Sequence, residues 1–309
     1  MNKSVPLRIQ TERPAVRLRK VHKNYGRTRA LDGLDLTVPE GSVYLLVGPN
    51  GSGKTTTMKL LLDLVRSGEG TASVFGLDPV SSGPQVRALI GYVPEQHTLG
   101  YPWMRTGRLL EHHATYYPAW DESYADRLVR TLEIDRSAKY GKLSKGEARR
   151  IHFVMALAHR PPLLLFDEPM DGLDPFVRGD VIALLADHLA ENPTTVLAST
   201  HHIEELSTLA DHLGVIRSGR LAAETDRATL DGLLRTYRMQ VPAGWAGVPE
   251  LAERVLRRNG TEGEVVWTVW GEEEEVIGRF NAAGATVRDA AALRLEEAAL
   301  ALLSREMRP

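Results

Sequence analysis

The nonapeptide GPNGSGKTT fills positions Gly48 to Thr56, so a glycine, four residues, and then Gly53, Lys54 and Thr55 follow one another. Glycines at that spacing let successive backbone N–H groups turn inward as a concave nest, which suits phosphate oxygens. Lys54 is then placed to reach β- and γ-phosphates, and Thr55 to offer a hydroxyl to Mg²⁺. The stretch Gly48, Pro49, Asn50, Gly51, Ser52, Gly53, Lys54, Thr55 and Thr56 is thereby a nucleotide-binding candidate, with the following helix N-terminus adding favourable dipole charge. The second chemical run is LLLFDEP, Leu163 to Pro169. Its four apolar residues end in Asp167, which puts a carboxylate at the end of a buried strand, where Mg²⁺ needs an oxygen ligand. Glu168 is the candidate to polarise an attacking water.

Three further signals are weaker when taken alone. In LSKGE, Leu143 to Glu147, Ser144 reads as a helix N-cap with Glu147 at the capping-box position. The same helix N-terminus, with the Ser144 hydroxyl, the Gly146 N–H and the Lys145 charge, also reads as an anion site. The two readings coexist. In STHH, one histidine after a strand can bond a γ-phosphate and water, but chemistry alone does not choose between His201 and His202. Gln96 in a loop is ordinarily a solvated side chain. Tyr25 is either a packing residue or a ring on which adenine stacks.

These residues need strands and loops to hold them. A first strand is expected near Ala15 to Leu18, followed by a loop holding Tyr25. A turn at Pro39–Gly41 leads to a buried strand from Val43 to Val47, then the glycine loop and a helix over TTTMKLLLDLV. A short strand is expected within Gly68 to Gly76. From His97 to Lys142, aromatic residues (Trp103, Tyr116, Tyr117, Trp120, Tyr124) lie among charges, and DESYADRLVRTLEI has helical periodicity; this segment reads as a helical insertion. A helix over Ser144 to His159, a strand over Leu163 to Phe166, a helix over Pro175 to Ala190 and a strand over Thr195 to Ser199 follow. Such alternation predicts an α/β fold with a mostly parallel sheet and helices on both faces. Composition shifts near Gly219. Strands at Tyr237 to Val241 and Val265 to Trp270, a helical pattern after GEEEE and a last helix over Leu293 to Arg305 predict a small C-terminal α+β domain.

Composition narrows the function classes. A net charge of −2 over 309 residues gives no basic signature of nucleic-acid binding. The absence of cysteine excludes disulfides and thiolate metal sites. The first residues lack the apolar core of a signal peptide, and no stretch approaches the roughly 20 apolar residues that span a bilayer.

Taken in order, the motifs resemble the ATP-binding subunits of ABC transporters across about Val16 to Leu221. The resemblance implies a P-loop NTPase of ABC type, with an antiparallel β subdomain and a helical subdomain at about 97–159, in an ATPase domain spanning 1–221. It makes 222–309 a small accessory domain. It assigns Tyr25 to adenine stacking, Gln96 to the metal beside Thr55 and Asp167, and Glu168 with His201 to catalysis. It gives Asp171, Gly172, Leu173 and Asp174 as the D-loop. It also implies ATP and Mg²⁺ as cofactors and a second ATPase subunit, in a homodimer or heterodimer. Each ATP would lie between one chain's P-loop and the other chain's Ser144, Lys145, Gly146 and Glu147. A separately encoded polytopic permease would dock on the helical insertion, with Trp103 and Met104 as contacts. The chain would then sit peripherally on the cytoplasmic face of the cell membrane, with no direct nucleic-acid partner. The usual signature of this family is LSGGQ, and here Lys145 and Glu147 replace Gly and Gln. Together with YYPAWDESYADRL and the Leu-Glu-Glu helix near the C-terminus, that departure resembles bacterial ABC-2 exporter ATPases. The competing expectation is a soluble ABC-type ATPase working on a ribosome or nucleic-acid complex. The single cassette and the lack of a coiled-coil insertion count against it.

Overall fold

The computed structural model describes residues 14–96, 100–201, 203–261 and 263–304. His97, where the helical insertion is expected to begin, His202, and Arg305 at the expected end of the last helix lie outside them.

Three sheets organise the chain. The first is antiparallel, with β1 (Pro14–Tyr25) between β2 (Thr28–Pro39) and β4 (Glu69–Val74). β1 runs on to Tyr25, where a loop is expected from the sequence. Lys20 adopts a left-handed φ of 47° and the register to β2 shifts between Leu18 and Val21, so a bulge breaks the alternation that would advertise the strand.

The second sheet has the order β5-β6-β7-β3-β8-β9. Its members are β3 (Val43–Val47), β5 (Ile90–Val93), β6 (Leu163–Asp167), β7 (Thr195–Thr200), β8 (His212–Arg217) and β9 (Arg220–Asp226). All pairs are parallel except β8 with β9. Every residue of β3, β6 and β7 is buried, as continuous apolar runs in a two-sided parallel sheet require. The mixed sheet with its antiparallel companion is the α/β architecture expected.

Helices α1 (Lys54–Leu61), α2 (Gly83–Ala88), α5 (Lys145–Leu157), α6 (Pro175–Glu191) and α7 (Ile203–Leu206) connect these strands. α1 stops sooner than its periodicity suggests. Asp63 takes a left-handed φ of 55°, its N–H bonds to the Leu60 carbonyl, and the Leu64 N–H bonds to the Lys59 carbonyl. This is a Schellman ending built without glycine, which leaves Leu64 exposed. The helical subdomain contains α3 (Thr106–Ala114) and α4 (Glu122–Thr131) packed on α5. The Asp121 carboxylate caps α4 by accepting from the Tyr124 N–H.

The C-terminal part places α8 (Arg227–Leu233) before a third sheet ordered β11-β12-β10-β13. Its strands are β10 (Leu234–Gln240), β11 (Val255–Thr261), β12 (Glu264–Trp270) and β13 (Thr286–Ala292), with α9 (Glu273–Ala282) between the last two. All neighbours are antiparallel, giving the strand order of a ferredoxin-like split βαβ with a 3₁₀ turn at Pro249–Leu251 in place of the first helix. Tyr237, Met239, Trp267, Val269 and Phe280 form its own core. The final helix, α10 (Leu295–Ser304), returns to the ATPase body: Leu295, Ala298, Ala299, Ala301 and Leu302 belong to the same buried cluster as Val47, Leu213 and Val215. A division at 221/222 falls inside β9. Among the described residues no helix is long and apolar enough to cross a membrane.

Candidate functional site

β3 ends at Val47, and the glycine loop lies at its carboxyl end. β7 separates β3 from β6, so a crevice opens where successive motifs leave non-adjacent strands. The first position of the loop tolerates only glycine, because a Cβ on Gly48 would lie 2.2 Å from the Ile216 carbonyl oxygen. Gly53, at φ 115°, starts α1 with the backbone turned as no other residue readily adopts. The Ser52 hydroxyl is buried and unpartnered, which suits a loop that wraps an oxyanion.

Lys54 is buried and its Nζ donates to the Gly48 carbonyl at 2.8 Å. The same ammonium lies 3.3 Å from Glu168 Oε1, an ion pair with both side chains nearly enclosed. Glu168 is held from its other side: its Oε2 accepts from the His201 backbone N–H at 3.1 Å and pairs with His201 Nδ1 at 2.8 Å. The Glu168 N–H donates to the Ser199 carbonyl at 3.0 Å, and φ of 49° turns the residue out of the strand. A left-handed glutamate costs on the order of 1 kcal/mol or more, a strain typical of residues aimed at chemistry. The Asp171 carboxylate joins this group, with one ligand atom each from Glu168, Asp171 and His201 within 4.8 Å of one another.

Asp167 Oδ1 accepts from Ser199 Oγ at 2.6 Å and from Thr55 Oγ1 at 3.1 Å. Burial raises its pKa, the two hydroxyl donors pull against that, and the neighbouring Glu95 and Glu168 charges add to the rise. Its Oδ2 is buried with no hydrogen-bond partner. A hydroxyl and a carboxylate with a spare lone pair form a hard-oxygen donor set that fits Mg²⁺.

Gln96 is exposed, whereas its neighbour Glu95 brings Oε2 to 3.4 Å from Thr55 Oγ1. Arg149 explains how this segment is held. Its guanidinium is buried and donates to the carbonyls of Pro94 at 2.7 Å, Glu95 at 3.1 Å and Asp167 at 3.4 Å. Burial pushes its pKa down, against the nearby carboxylates. Neither Glu95 nor Arg149 is signalled by sequence, since an arginine in a charged helix normally faces water. Tyr25 is 46% exposed at the tip of the β1–β2 hairpin, with Lys23 Nζ 5.0 Å from its ring centre.

The capping box at α5 is complete. Ser144 Oγ accepts from the Glu147 N–H at 3.2 Å, and the Ser144 N–H donates to Glu147 Oε2 at 2.7 Å. The Ser144 hydroxyl beside it and the Ser144 N–H hold the Glu147 carboxyl below its ordinary value. A Cβ on Gly146 would lie 2.8 Å from the Gly172 carbonyl, so the LSKGE turn sits against the turn at 171–174 of its own chain. There Leu173 is buried and Asp174 caps α6, accepting from the Phe176 and Val177 N–H groups at 3.0 and 3.1 Å. Ser144, Lys145, Gln96, Asp171 and Gly172 line a cavity of about 590 Å³ to which no glycine-loop residue contributes. The structure thus brings Lys54, Thr55, Asp167, Glu168 and His201 into one site, while the LSKGE turn lines a neighbouring cavity that shares Asp171 with it but no glycine-loop residue.

Comparison with known proteins agrees with this geometry. The family model for ABC transporters matches residues 31–171. The ABC transporter ATP-binding protein YtrB of Bacillus subtilis is 32% identical over 222 residues, covering 72% of this chain and 74% of YtrB. The daunorubicin resistance ATP-binding protein DrrA2 of Streptomyces coeruleorubidus is 37% identical over 252 residues, covering 79% and 77%. Among solved structures, the MJ0796 ATP-binding cassette, a dimer in a post-hydrolysis state bound to ADP and Pi, superposes with a TM-score of 0.61 at 25% identity, covering 68% of this chain and 98% of the cassette. The chain belongs to the ABC transporter ATP-binding proteins, and it is an ATPase.

Proposed function

We propose that this chain energises a membrane permease carried on another polypeptide, an exporter of the ABC-2 class, through ATP-driven closure of a head-to-tail dimer. The observation that carries the reading is Glu168, clamped between the phosphate-seeking Lys54 and His201 while the LSKGE turn packs away from the glycine loop. A site of that form has a base and a phosphate cradle on the α1 N-terminus but is open on the side away from it, where the LSKGE helix N-terminus of a second chain would close it.

In this reading Lys54 exchanges Glu168 for the β- and γ-phosphates when ATP binds, and the freed Glu168 carboxylate faces the attacking water. His201 orients that water, and Tyr25 stacks on adenine. Thr55, Asp167 and the Gln96 segment hold Mg²⁺, which supplies charge neutralisation on the β- and γ-phosphate oxygens when bound. Ser144, Lys145, Gly146 and Glu147 face the ATP of the other subunit, with the D-loop, Asp171 to Asp174, beside them. The ATPase domain extends through β9, and the rest forms an accessory domain anchored by α10.

Support for an exporter comes from relatives named for export and resistance, including a Nod factor export ATP-binding protein of Cupriavidus metallidurans, 36% identical over 214 residues. On the helical subdomain, Trp103 is 66% exposed and edge-on to Tyr101 at 5.9 Å. Such an aromatic pair suits a permease contact, with Met104 next in the chain half-buried against the core. The chain would then work at the cytoplasmic face of the membrane. Affinity capture of the intact chain from gently solubilised membranes tests this: a polytopic permease is expected to co-purify, and recovery with ribosomes and no permease overturns the reading.

A further inference from the structure

At the end of α6 nearest the D-loop, Phe176 exposes 88% of its surface, more than any other large apolar side chain described. It follows Asp174, whose carboxylate fixes its backbone N–H, and α6 is tied to α7 by the Arg178–Glu205 ion pair. The ring is therefore presented on a rigid element rather than on a loose loop. A bare phenyl group on a fixed helix start is an anchor that none of the described residues covers.

A socket exists elsewhere on the molecule. Val47 and Pro49, at the entry to the glycine loop, meet Ile203 of α7 and Leu300 and Leu303 of α10 around an apolar cavity of about 490 Å³, with His201 on its wall. Leu300 is itself 47% exposed. Arg217 lies on the rim, and its guanidinium donates to the Leu303 carbonyl at 3.4 Å, which ties α10 to β8. The cavity is thus bounded by catalytic machinery on one side and by the C-terminal helix on the other.

We propose that Phe176 of a second copy of this chain fills this cavity, so that α10 forms half of the receptor for the partner's anchor. The inference rests on the head-to-tail reading above and adds a specific contact to it. α7 links knob to socket, since its Glu205 pairs with Arg178, two residues after Phe176, and its Ile203 lines the cavity; a twofold interface between such patches has each copy give and receive one ring. Two identical contacts form, each burying an exposed phenyl group and Leu300 beside His201. The accessory domain then acts on the dimer through α10, and the partner ring excludes water from the wall that carries His201.

The sequence contains no cysteine, which makes the test clean. One preparation carries Phe176→Cys and another Leu300→Cys, each in a Glu168→Gln background, which on the head-to-tail reading is expected to hold the ATP-bound dimer. Mixed with ATP and Mg²⁺ and oxidised, they are expected to give a Phe176–Leu300 cross-linked heterodimer. A Phe176→Cys and Trp103→Cys mixture should give none. Light scattering in parallel shows whether ATP dimerises the chain at all. Dimerisation without the Phe176–Leu300 link overturns the inference and leaves the head-to-tail reading standing, as does a dominant Phe176–Phe176 link. No dimer under any nucleotide condition overturns both. Phe176→Asp should weaken ATP-dependent dimerisation by roughly tenfold to a hundredfold for each of the two contacts, whereas an unchanged dimer affinity overturns the proposal.

Discussion

Replacing Glu168 with glutamine separates its two jobs. The carboxylate balances the buried Lys54 ammonium at 3.3 Å and accepts two bonds from His201 at 3.1 and 2.8 Å. A glutamine of the same shape has only one acceptor oxygen. If that oxygen stays on His201, the amide NH₂ faces the lysine cation; if it turns to Lys54, the NH₂ faces the two His201 donors. Either way one charge-assisted contact is lost, and in the first arrangement Lys54 keeps only the carbonyls of Gly48 at 2.8 Å and Pro49 at 3.5 Å. We predict that the nucleotide-free variant loses about 1–3 kcal/mol, a few degrees in Tm for a chain of this length. ATP should reverse the order, because phosphate oxygens take over Lys54 and the glutamine no longer opposes them. The ATP-induced rise in Tm is then larger in Glu168→Gln than in the parent, while turnover falls roughly 10²–10⁴-fold with the loss of the base. Differential scanning fluorimetry with and without ATP and a phosphate-release assay measure both. Parental turnover in the variant refutes the catalytic role; an unchanged nucleotide-free Tm refutes the stabilising ion pair.

Two further outcomes follow from buried cations and histidines. Arg149→Met leaves the Pro94, Glu95 and Asp167 carbonyls without their donor; it should cost about 2–4 kcal/mol in urea melts, and a loss under about 0.5 kcal/mol would show that the guanidinium does not hold this segment. His113, His159 and His188 are each pushed by burial to a pKa of about 4, below the ordinary 6.5. The unfolded chain therefore takes up these protons first, so stability is full above about pH 6.5 and drains as the pH falls toward 4. The fully buried His159 and His188 each contribute a slope of up to about 1.4 kcal/mol per pH unit, and a His188→Asn variant should flatten the curve in urea melts run from pH 7 to pH 5.

The parts of the site that could be read from sequence are those that carry their own signal. β3 and β6 are unbroken apolar runs ending in turn or charge, and α5 opens with a serine and a glutamate three residues apart. What escaped reading depends on partners distant in the chain. Arg149 is legible as a buried clamp only once Pro94, Glu95 and Asp167 are known to surround it, 55, 54 and 18 residues away. Asp63 ends α1 in a left-handed conformation that glycine would have announced. The bulge at Lys20 hid more than half of β1 by interrupting its alternation. α10 looked like the end of an appendage because amphipathic periodicity reports that a face is buried, not against what.

The two departures in LSKGE also take on a physical meaning. A glutamine at the third helical position closes a capping box as well as a glutamate does, so Glu147 keeps the local geometry and changes only the charge. That charge is satisfied within the chain: its carboxylate accepts the Ser144 N–H, is held in its ionised form, and sits where the helix dipole favours an anion. Lys145, one position inside the helix and exposed, restores the balance. The pair leaves the formal charge of the turn equal to that of an uncharged signature while separating it in space, a cation outermost and an anion folded back onto the cap. In the proposed dimer an incoming phosphate would therefore meet Lys145 and the Gly146 N–H before Glu147. Gly146 itself has no freedom to vary, because the Gly172 carbonyl occupies the space a side chain would need. The substitutions fall at two exposed positions, whereas Ser144 and Gly146 are held by contacts that do not involve a ligand: the cap bond from the Glu147 N–H and the close approach of the Gly172 carbonyl.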